Sequence, residues 1–244
     1  MMSTMKRSLP FVISTAALLL LATAGIAAGP GPDAGGGSLS GVVKFQGTAP
    51  MPMRIQMAAD PACSKSHASP VMSEEVVTDG SGGLANVVVY VSDGLGDKTF
   101  DAPMQPAVLE QKGCVYEPHV LAMRAGQTLK VVNDDSTTHN IHPTPANNRE
   151  WNKSQPPGLT IEETFARQEV SVPVKCNVHP WMKSYVAVVK SPYFAVSAKN
   201  GSFEIKDLPA GTYTIQAWHE KLGTKSQQVT IGANESKKVE FDFR

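Results

Sequence analysis

Residues 116–143, YEPHVLAMRAGQTLKVVNDDSTTHNIHP, set the fold class of this 244-residue chain. Apolar residues gather in two short runs on either side of Ala125-Gly126, and a polar loop precedes two histidines at the end of the stretch. Short apolar runs bounded by Gly, Asn and Asp are typical of β-strands and turns. The stretch therefore predicts a strand, a turn, a second strand and a loop that ends at the histidines.

The same pattern recurs along the chain, and no long segment has apolar residues at helical spacing. Strands are predicted at residues 40–45, 87–91, 129–133, 169–174, 185–189, 212–217 and 238–243. These short segments, separated by Gly, Pro, Asn and Asp, favour an all-β protein of sandwich or barrel type.

The N-terminal residues have the composition of a secretory signal peptide. Lys6 and Arg7 precede an apolar run over residues 9–21, and small residues follow. We predict a signal peptide over residues 1–28, a Gly- and Pro-rich linker over 29–38, and export to the periplasm or another extracytoplasmic compartment. A single-pass anchor is the alternative, although the apolar run is short for a bilayer span. After cleavage of the signal, no stable membrane span is expected.

The charge balance argues against nucleic acid as a partner. The chain has 22 basic and 22 acidic side chains, and no basic tract stands out. Removal of Lys6 and Arg7 with the signal peptide leaves a formal charge of about −2.

The cysteines, at positions 63, 114 and 176, are an odd number for an oxidising compartment, which means one pair and one special thiol, or three unpaired thiols. Cys176 alone has a histidine and a methionine at close spacing, His179 and Met182, in the stretch KCNVHPWMK. We therefore predict that Cys176 is a special thiol and that Cys63 and Cys114 form a possible disulfide.

The loop from Cys176 to Met182 offers a thiolate, an imidazole and a thioether to a metal ion. A second imidazole would come from His139 or His142, about 35 residues earlier. Two imidazoles, a thiolate and a long axial thioether make a blue-copper site. Positions three apart on an extended chain point to opposite sides, so only one of the two histidines is expected to reach the metal.

Other interpretations of the same residues remain open. Cys176 could be a buried free thiol, which is a common state of cysteine. It could be a nucleophile paired with His179, although no third orienting group is evident. Zinc is chemically possible, although the thioether of Met182 is a poor zinc ligand.

This region resembles a cupredoxin of the amicyanin and pseudoazurin group. The resemblance covers about 104–190 and rests on YEP at 116–118, GQTL at 126–129, ND at 133–134, HNIH at 139–142 and the loop at 176–182. It implies a cupredoxin Greek-key β-sandwich, predicted over residues 101–190, and one type 1 copper per chain. The implied ligands are His139, Cys176, His179 and Met182. Val178 stands where these relatives often have proline.

Residues 201–215, GSFEIKDLPAGTYTI, resemble the carboxypeptidase regulatory-like, or transthyretin-like, β-sandwich. The opening strands of that family match residues 41–45 and 85–91, far upstream. We predict a discontinuous sandwich over 39–100 and 191–244, with the domain at 101–190 inserted in it. Tandem domains, with only 191–244 in the sandwich, are the alternative.

The resemblance implies single-electron transfer in the periplasm or cell envelope, with a redox protein of the envelope as partner. Enzyme activity and catalytic residues are not expected, because Lys175 and Asn177 flank Cys176. In copper oxidases and nitrite reductases, histidines beside the cysteine reach a second copper centre. The alternatives are a copper carrier, and an envelope binding or adhesion module with carbohydrate as one ligand class.

Overall fold

The structure is a computed structural model that describes residues 35–244. The predicted signal peptide and most of the predicted linker lie outside the described residues. The all-β prediction is confirmed, because the described chain forms strands and one short helix. None of the helical structure in residues 35–244 is long and apolar enough to cross a membrane.

Residues 35–244 form sixteen strands and one short helix. In chain order they are β1 (Gly37–Phe45), α1 (Pro61–Lys65), β2 (Val88–Asp93), β3 (Ala107–Lys112), β4 (Val115–Glu117), β5 (Val120–Arg124), β6 (Thr128–Asn133), β7 (His139–Pro143), β8 (Lys153–Gln155), β9 (Thr160–Thr164), β10 (Glu169–Lys175), β11 (Lys183–Val189), β12 (Phe194–Val196), β13 (Ser202–Leu208), β14 (Gly211–His219), β15 (Gly223–Ile231) and β16 (Ser236–Phe243).

Two of the four sheets have strands from both ends of the described chain. One has the order β13-β1-β16, with β1 parallel to β16, and the other has the order β12-β2-β14-β15. Buried side chains of both sheets, such as Leu39, Val89, Ile215 and Phe241, form one shared core. Apolar and polar residues alternate along β14, so one face of the strand is buried in that core.

The other two sheets are built from residues 107–189. Their orders are β5-β11-β10-β7-β8 and β4-β3-β6-β9. They enclose a second core, which includes Leu109, Val131, Ile141 and Val186. A smaller apolar cluster, with Val88, Tyr90 and Ala187, packs β2 against β11 and so joins the two halves of the molecule.

The strands of the first two sheets come from residues 37–93 and 194–243, and those of the other two lie between them. The division into a discontinuous domain and an inserted domain stays a prediction. Strand β1 begins at Gly37, two residues inside the stretch predicted as linker.

Residues 54–73 cross from the first half of the molecule onto the second, and we call them the covering segment. Its two ends pair with each other, through an Arg54–Met72 bridge and a 2.9 Å hydrogen bond from the Ile55 amide to the Val71 carbonyl. Helix α1 lies inside it, capped by the Asp60 carboxylate, which accepts a 2.7 Å hydrogen bond from the Ala62 amide. Cys63 in α1 is buried in the second core.

Candidate metal centre

The loop between β10 and β11 turns tightly around the side chains of Cys176 and His179. The Cys176 amide donates to the Met182 carbonyl at 3.3 Å, and the Met182 amide donates to the His179 carbonyl at 2.9 Å. These two bonds close the loop upon itself. Cys176, His179 and Met182, which are three residues apart in the sequence, are therefore close together in space.

His139 reaches the loop because β7 pairs with β10, with His142 opposite Lys175. Its Nδ1 lies 2.8 Å from Nδ1 of His179, and Sγ of Cys176 lies 3.9 Å from the same His179 atom. The three ligand atoms lie within 4.8 Å of one another. All three residues are buried, with exposed fractions of 0%, 2% and 2% for His139, Cys176 and His179.

The surroundings of the Cys176 sulfur favour the thiolate. The amides of Asn140 and His179 both point to Sγ at 3.4 Å. Burial raises the pKa of Cys176, but His139 and these amides outweigh burial and lower the pKa to about 7. Burial lowers the pKa of His139, but Asp135 and Cys176 outweigh it and raise that pKa to about 9.

The three donors fit a metal ion. Metal bonds of about 2.0 Å to nitrogen and about 2.3 Å to sulfur require ligand atoms roughly 3–4 Å apart. The distances of 2.8 and 3.9 Å around His179 Nδ1 need only a small opening of the cluster. A thiolate with two imidazoles is a donor set for copper or another soft or borderline ion.

The other predicted residues fall in different places. Met182 is 1% exposed and shares a core with Cys176, and its role as axial ligand stays a prediction. His142 lies on the outer side of β7, with Nε2 2.7 Å from Glu150, and does not belong to the donor cluster. The structure joins Cys63 to Cys114 in a disulfide, with Cα atoms 5.4 Å apart, and leaves Cys176 as the free thiol.

Two carboxylates that the sequence did not predict bind the Nε2 atoms of the two imidazoles, on the side away from Cys176. Asp135 Oδ2 lies 2.9 Å from Nε2 of His139, and Asp60 Oδ2 lies 2.9 Å from Nε2 of His179. A carboxylate on one ring nitrogen fixes which nitrogen faces the metal. The hydrogen bond with His179 is also the main reason why the pKa of Asp60 is lowered.

A sequence signal existed for Asp135 but not for Asp60. Asp135 lies four residues before His139 and directly after the Asn133-Asp134 pair, a spacing that is short enough for its carboxylate to reach that imidazole. Asp60 lies 119 positions from His179, and only the covering segment brings it there.

The covering segment separates His179 from solvent. Asp60 lies against its Nε2, and Sγ of Cys63 lies 3.7 Å from the same nitrogen. The Trp181 ring lies beside the imidazole, with centroids 5.0 Å apart, and its Nε1 donates to the Cys114 carbonyl at 3.0 Å. A cavity of about 640 Å³ opens on the outer side, with Met53, Ile55, Val71, Met72, Pro180 and Trp181 among its lining residues.

Comparisons with known proteins match parts of the chain. The family model described as polysaccharide lyase family 4, domain II, matches residues 167–239. No curated protein matches the chain.

Several solved structures are similar to part of the chain. A copper-containing nitrite reductase from Thermus scotoductus is 21% identical over 40% of this chain and 25% of its own, with a TM-score of 0.34. A purple cupredoxin from Nitrosopumilus maritimus is 25% identical over 34% of this chain and 99% of its own, with a TM-score of 0.30. An oxidized variant of amicyanin is 18% identical over 41% of this chain and 98% of its own, with a TM-score of 0.32. These partial matches do not assign the chain to a family.

Proposed function

We propose that this chain is an extracytoplasmic blue copper protein that transfers single electrons. The observation that supports the proposal is the convergence of two imidazole Nδ1 atoms and one thiolate in a buried cluster, from His139, His179 and Cys176. Met182, buried at the end of the same loop, is the proposed axial ligand. Bound copper would supply a one-electron couple.

The residues around the cluster favour a rigid site over a reactive cysteine. The Cys176 sulfur is held by two backbone amides, and the covering segment and Trp181 lie on the solvent side of His179. A nucleophilic cysteine needs room for a substrate at its sulfur, whereas Cys176 is 2% exposed. A site that keeps one geometry in both oxidation states suits electron transfer.

Each imidazole has a defined orientation because its Nε2 is paired with a carboxylate. With copper bound, the carboxylates of Asp135 and Asp60 would accept hydrogen bonds from the two Nε2–H groups, and both Nδ1 lone pairs would be directed at the metal. These contacts support Nδ1 as the proposed metal-binding atom of His139 and His179.

The proposed function includes a cellular location, a kind of partner and a kind of reaction. The signal-like residues 1–28 support a location in the periplasm or cell envelope, and the proposed partner is a redox protein there. With four protein ligands per copper, no position remains open for a substrate, so the chain is proposed to be an electron carrier and not an enzyme.

Addition of Cu(II) to the purified mature protein tests the proposal. We expect an intense visible absorption from the thiolate–copper bond, which Cys176→Ser and His139→Asn abolish. His142→Asn is the matched control, because His142 lies outside the donor cluster, and it should stay coloured. A wild-type protein that stays colourless and retains no copper would end the proposal.

Carbohydrate binding at the envelope is a second candidate function. The match of residues 167–239 to a domain named after polysaccharide lyases favours it. Retardation of the protein in gels that contain polysaccharide would support this candidate, and unchanged mobility across acidic and neutral polysaccharides would remove it.

A further inference from the structure

The Cys63–Cys114 disulfide lies against the metal centre. Sγ of Cys63 is 3.7 Å from Nε2 of His179, and both half-cystines are buried, with exposed fractions of 0% and 1%. If the disulfide served only to attach the covering segment to the second half of the molecule, it could lie anywhere that the segment and this half are in contact. This one lies directly behind the imidazole of a proposed metal ligand.

Each half of the disulfide belongs to its own group of three potential metal donors. Asp60, Cys63 and His179 form one group, and Cys114, Asp135 and His139 form the other. Within each group, the ligand atoms lie within 4.8 Å of one another. The two groups are joined by the S–S bond, so each sulfur has one carboxylate and one imidazole nitrogen within 4.8 Å of it.

The backbone around Cys114 is held in place by a tight turn and by Asp135. Gly113 and Cys114 form the two-residue turn between β3 and β4, with φ values of +63° and +56°. A side chain at the second of these positions is strained, and glycine is the usual residue there. Asp135 fixes the turn by accepting hydrogen bonds from the Gly113 amide at 2.6 Å and the Cys114 amide at 2.7 Å. The position of the Cys114 backbone therefore does not depend on the disulfide alone.

We propose that reduction of this disulfide creates a second metal site, in which the thiolates of Cys63 and Cys114 bind a d¹⁰ ion, Cu(I) or Zn(II). The carboxylates of Asp60 and Asp135 are the remaining donors. Reduction by a thiol or phosphine takes up two electrons and two protons and breaks the S–S bond. The metal then displaces the two thiol protons.

The donor chemistry selects this class of ion. Thiolates are soft ligands that favour Cu(I) and Zn(II) over Mg(II) or Ca(II). Two buried thiolates beside two carboxylates repel one another unless a cation lies between them. The site uses none of the Nδ1 or Sγ atoms of the first cluster, so the proposal does not depend on the function proposed for that cluster.

Metal binding to the Cys176→Ser protein tests the proposal, because that background lacks the thiolate of the first cluster. The protein is reduced with a phosphine, freed of the reductant without oxygen, and titrated with Cu(I) against a chromogenic chelator and with Zn(II) against an indicator dye. We expect the reduced form to bind one ion per chain more than the disulfide form, and the two titrations tell which ion is preferred. Equal binding by the reduced and disulfide forms, for both ions, would overturn the proposal.

Two further variants separate a built site from exposed thiols. In the same background, Cys63→Ser with Cys114→Ser should bind no additional ion. Asp60→Ala with Asp135→Ala, with both thiols intact, should bind it at least tenfold more weakly, because their carboxylates complete the site. An unfolded chain would bind through its thiols without regard to these carboxylates. Unchanged affinity in the aspartate variant would refute the site. Loss of near-UV circular dichroism in the reduced Cys176→Ser protein, if metal does not restore it, would also refute the site.

Discussion

Asp60 Oδ2 lies 2.9 Å from Nε2 of His179, although the two residues are 119 positions apart in the chain. The contact joins the covering segment to the candidate metal centre. It gives His179 the same arrangement that Asp135 gives His139, with a carboxylate behind the imidazole and Nδ1 directed at Cys176. The covering segment therefore takes part in the geometry of the site as well as shielding it.

Asp60→Asn should weaken copper binding by about tenfold, the lower end of the effect known for such carboxylates. Asp60 caps α1 with Oδ1 and accepts from Nε2 with Oδ2, whereas asparagine has a single acceptor oxygen. The variant therefore removes the charge and one of these two hydrogen bonds. Competition with a copper chelator measures the affinity. Asp101→Asn, an exposed site, is the control and should leave affinity unchanged. Equal affinity in both variants would show that Asp60 does not support the site.

Met182→Leu tests the axial ligand. Leucine has a similar volume, so the free energy of unfolding of the metal-free protein should change by less than about 1.5 kcal/mol. If the thioether is a weak ligand, its loss should raise the reduction potential and leave copper bound by the other three residues. Voltammetry measures the potential. An unchanged potential and unchanged visible spectrum would place the Met182 sulfur outside the copper site.

Replacement of Cys63 and Cys114 by serine should lower stability. The two cysteines are 51 positions apart, and a loop of that length corresponds to about 4 kcal/mol in the chain-entropy model. Urea unfolding of the variant and wild type measures the loss. In the variant, amide hydrogen exchange should increase in residues 54–73, whereas β14 should keep its protection. A loss below about 1 kcal/mol would mean that other contacts hold the covering segment.

The sequence predicted those parts of the molecule that depend on local patterns. The alternation along β14 and the spacing between Cys176 and His179 are both visible over a few residues, and both correspond to what the structure contains. Helix α1 escaped prediction, because five residues starting at Pro61 are too few to show a period. The position of Asp60 beside His179 depends on a chain crossing between two halves of the molecule, which no local pattern encodes.

Trp181→Ala should slow electron exchange without displacing copper. The indole lies beside His179 and lines the outer cavity, so it offers a path from that imidazole towards the solvent. Line broadening in mixtures of oxidised and reduced protein measures the exchange rate, and we expect a decrease of several-fold. Trp218→Ala, in the cluster that joins the two halves, is the control and should not change the rate. Equal rates in both variants would exclude Trp181 from the route.

His219 makes stability sensitive to pH, far from the metal centre. Its side chain is 1% exposed, and within residues 35–244 its Nε2 has no hydrogen-bond partner. Burial lowers its pKa from 6.5 to about 4. Above pH 6.5 the imidazole is neutral in both the folded and the unfolded chain. As the pH falls from 6.5 towards 4, the unfolded chain takes up a proton that the folded chain does not, so the free energy of unfolding decreases.

The decrease assigned to His219 between about pH 7.5 and about pH 4.5 is roughly 2.5 kcal/mol. His219→Asn removes the titrating group and keeps an acceptor for the Lys221 amide, which lies 3.2 Å from Nδ1 in the wild type. Urea unfolding of both proteins at the two pH values isolates the contribution of this side chain from that of the other titrating groups. The variant should lose less stability than the wild type on acidification, by about that amount. A parallel loss in the two proteins would mean that His219 is protonated in the folded state.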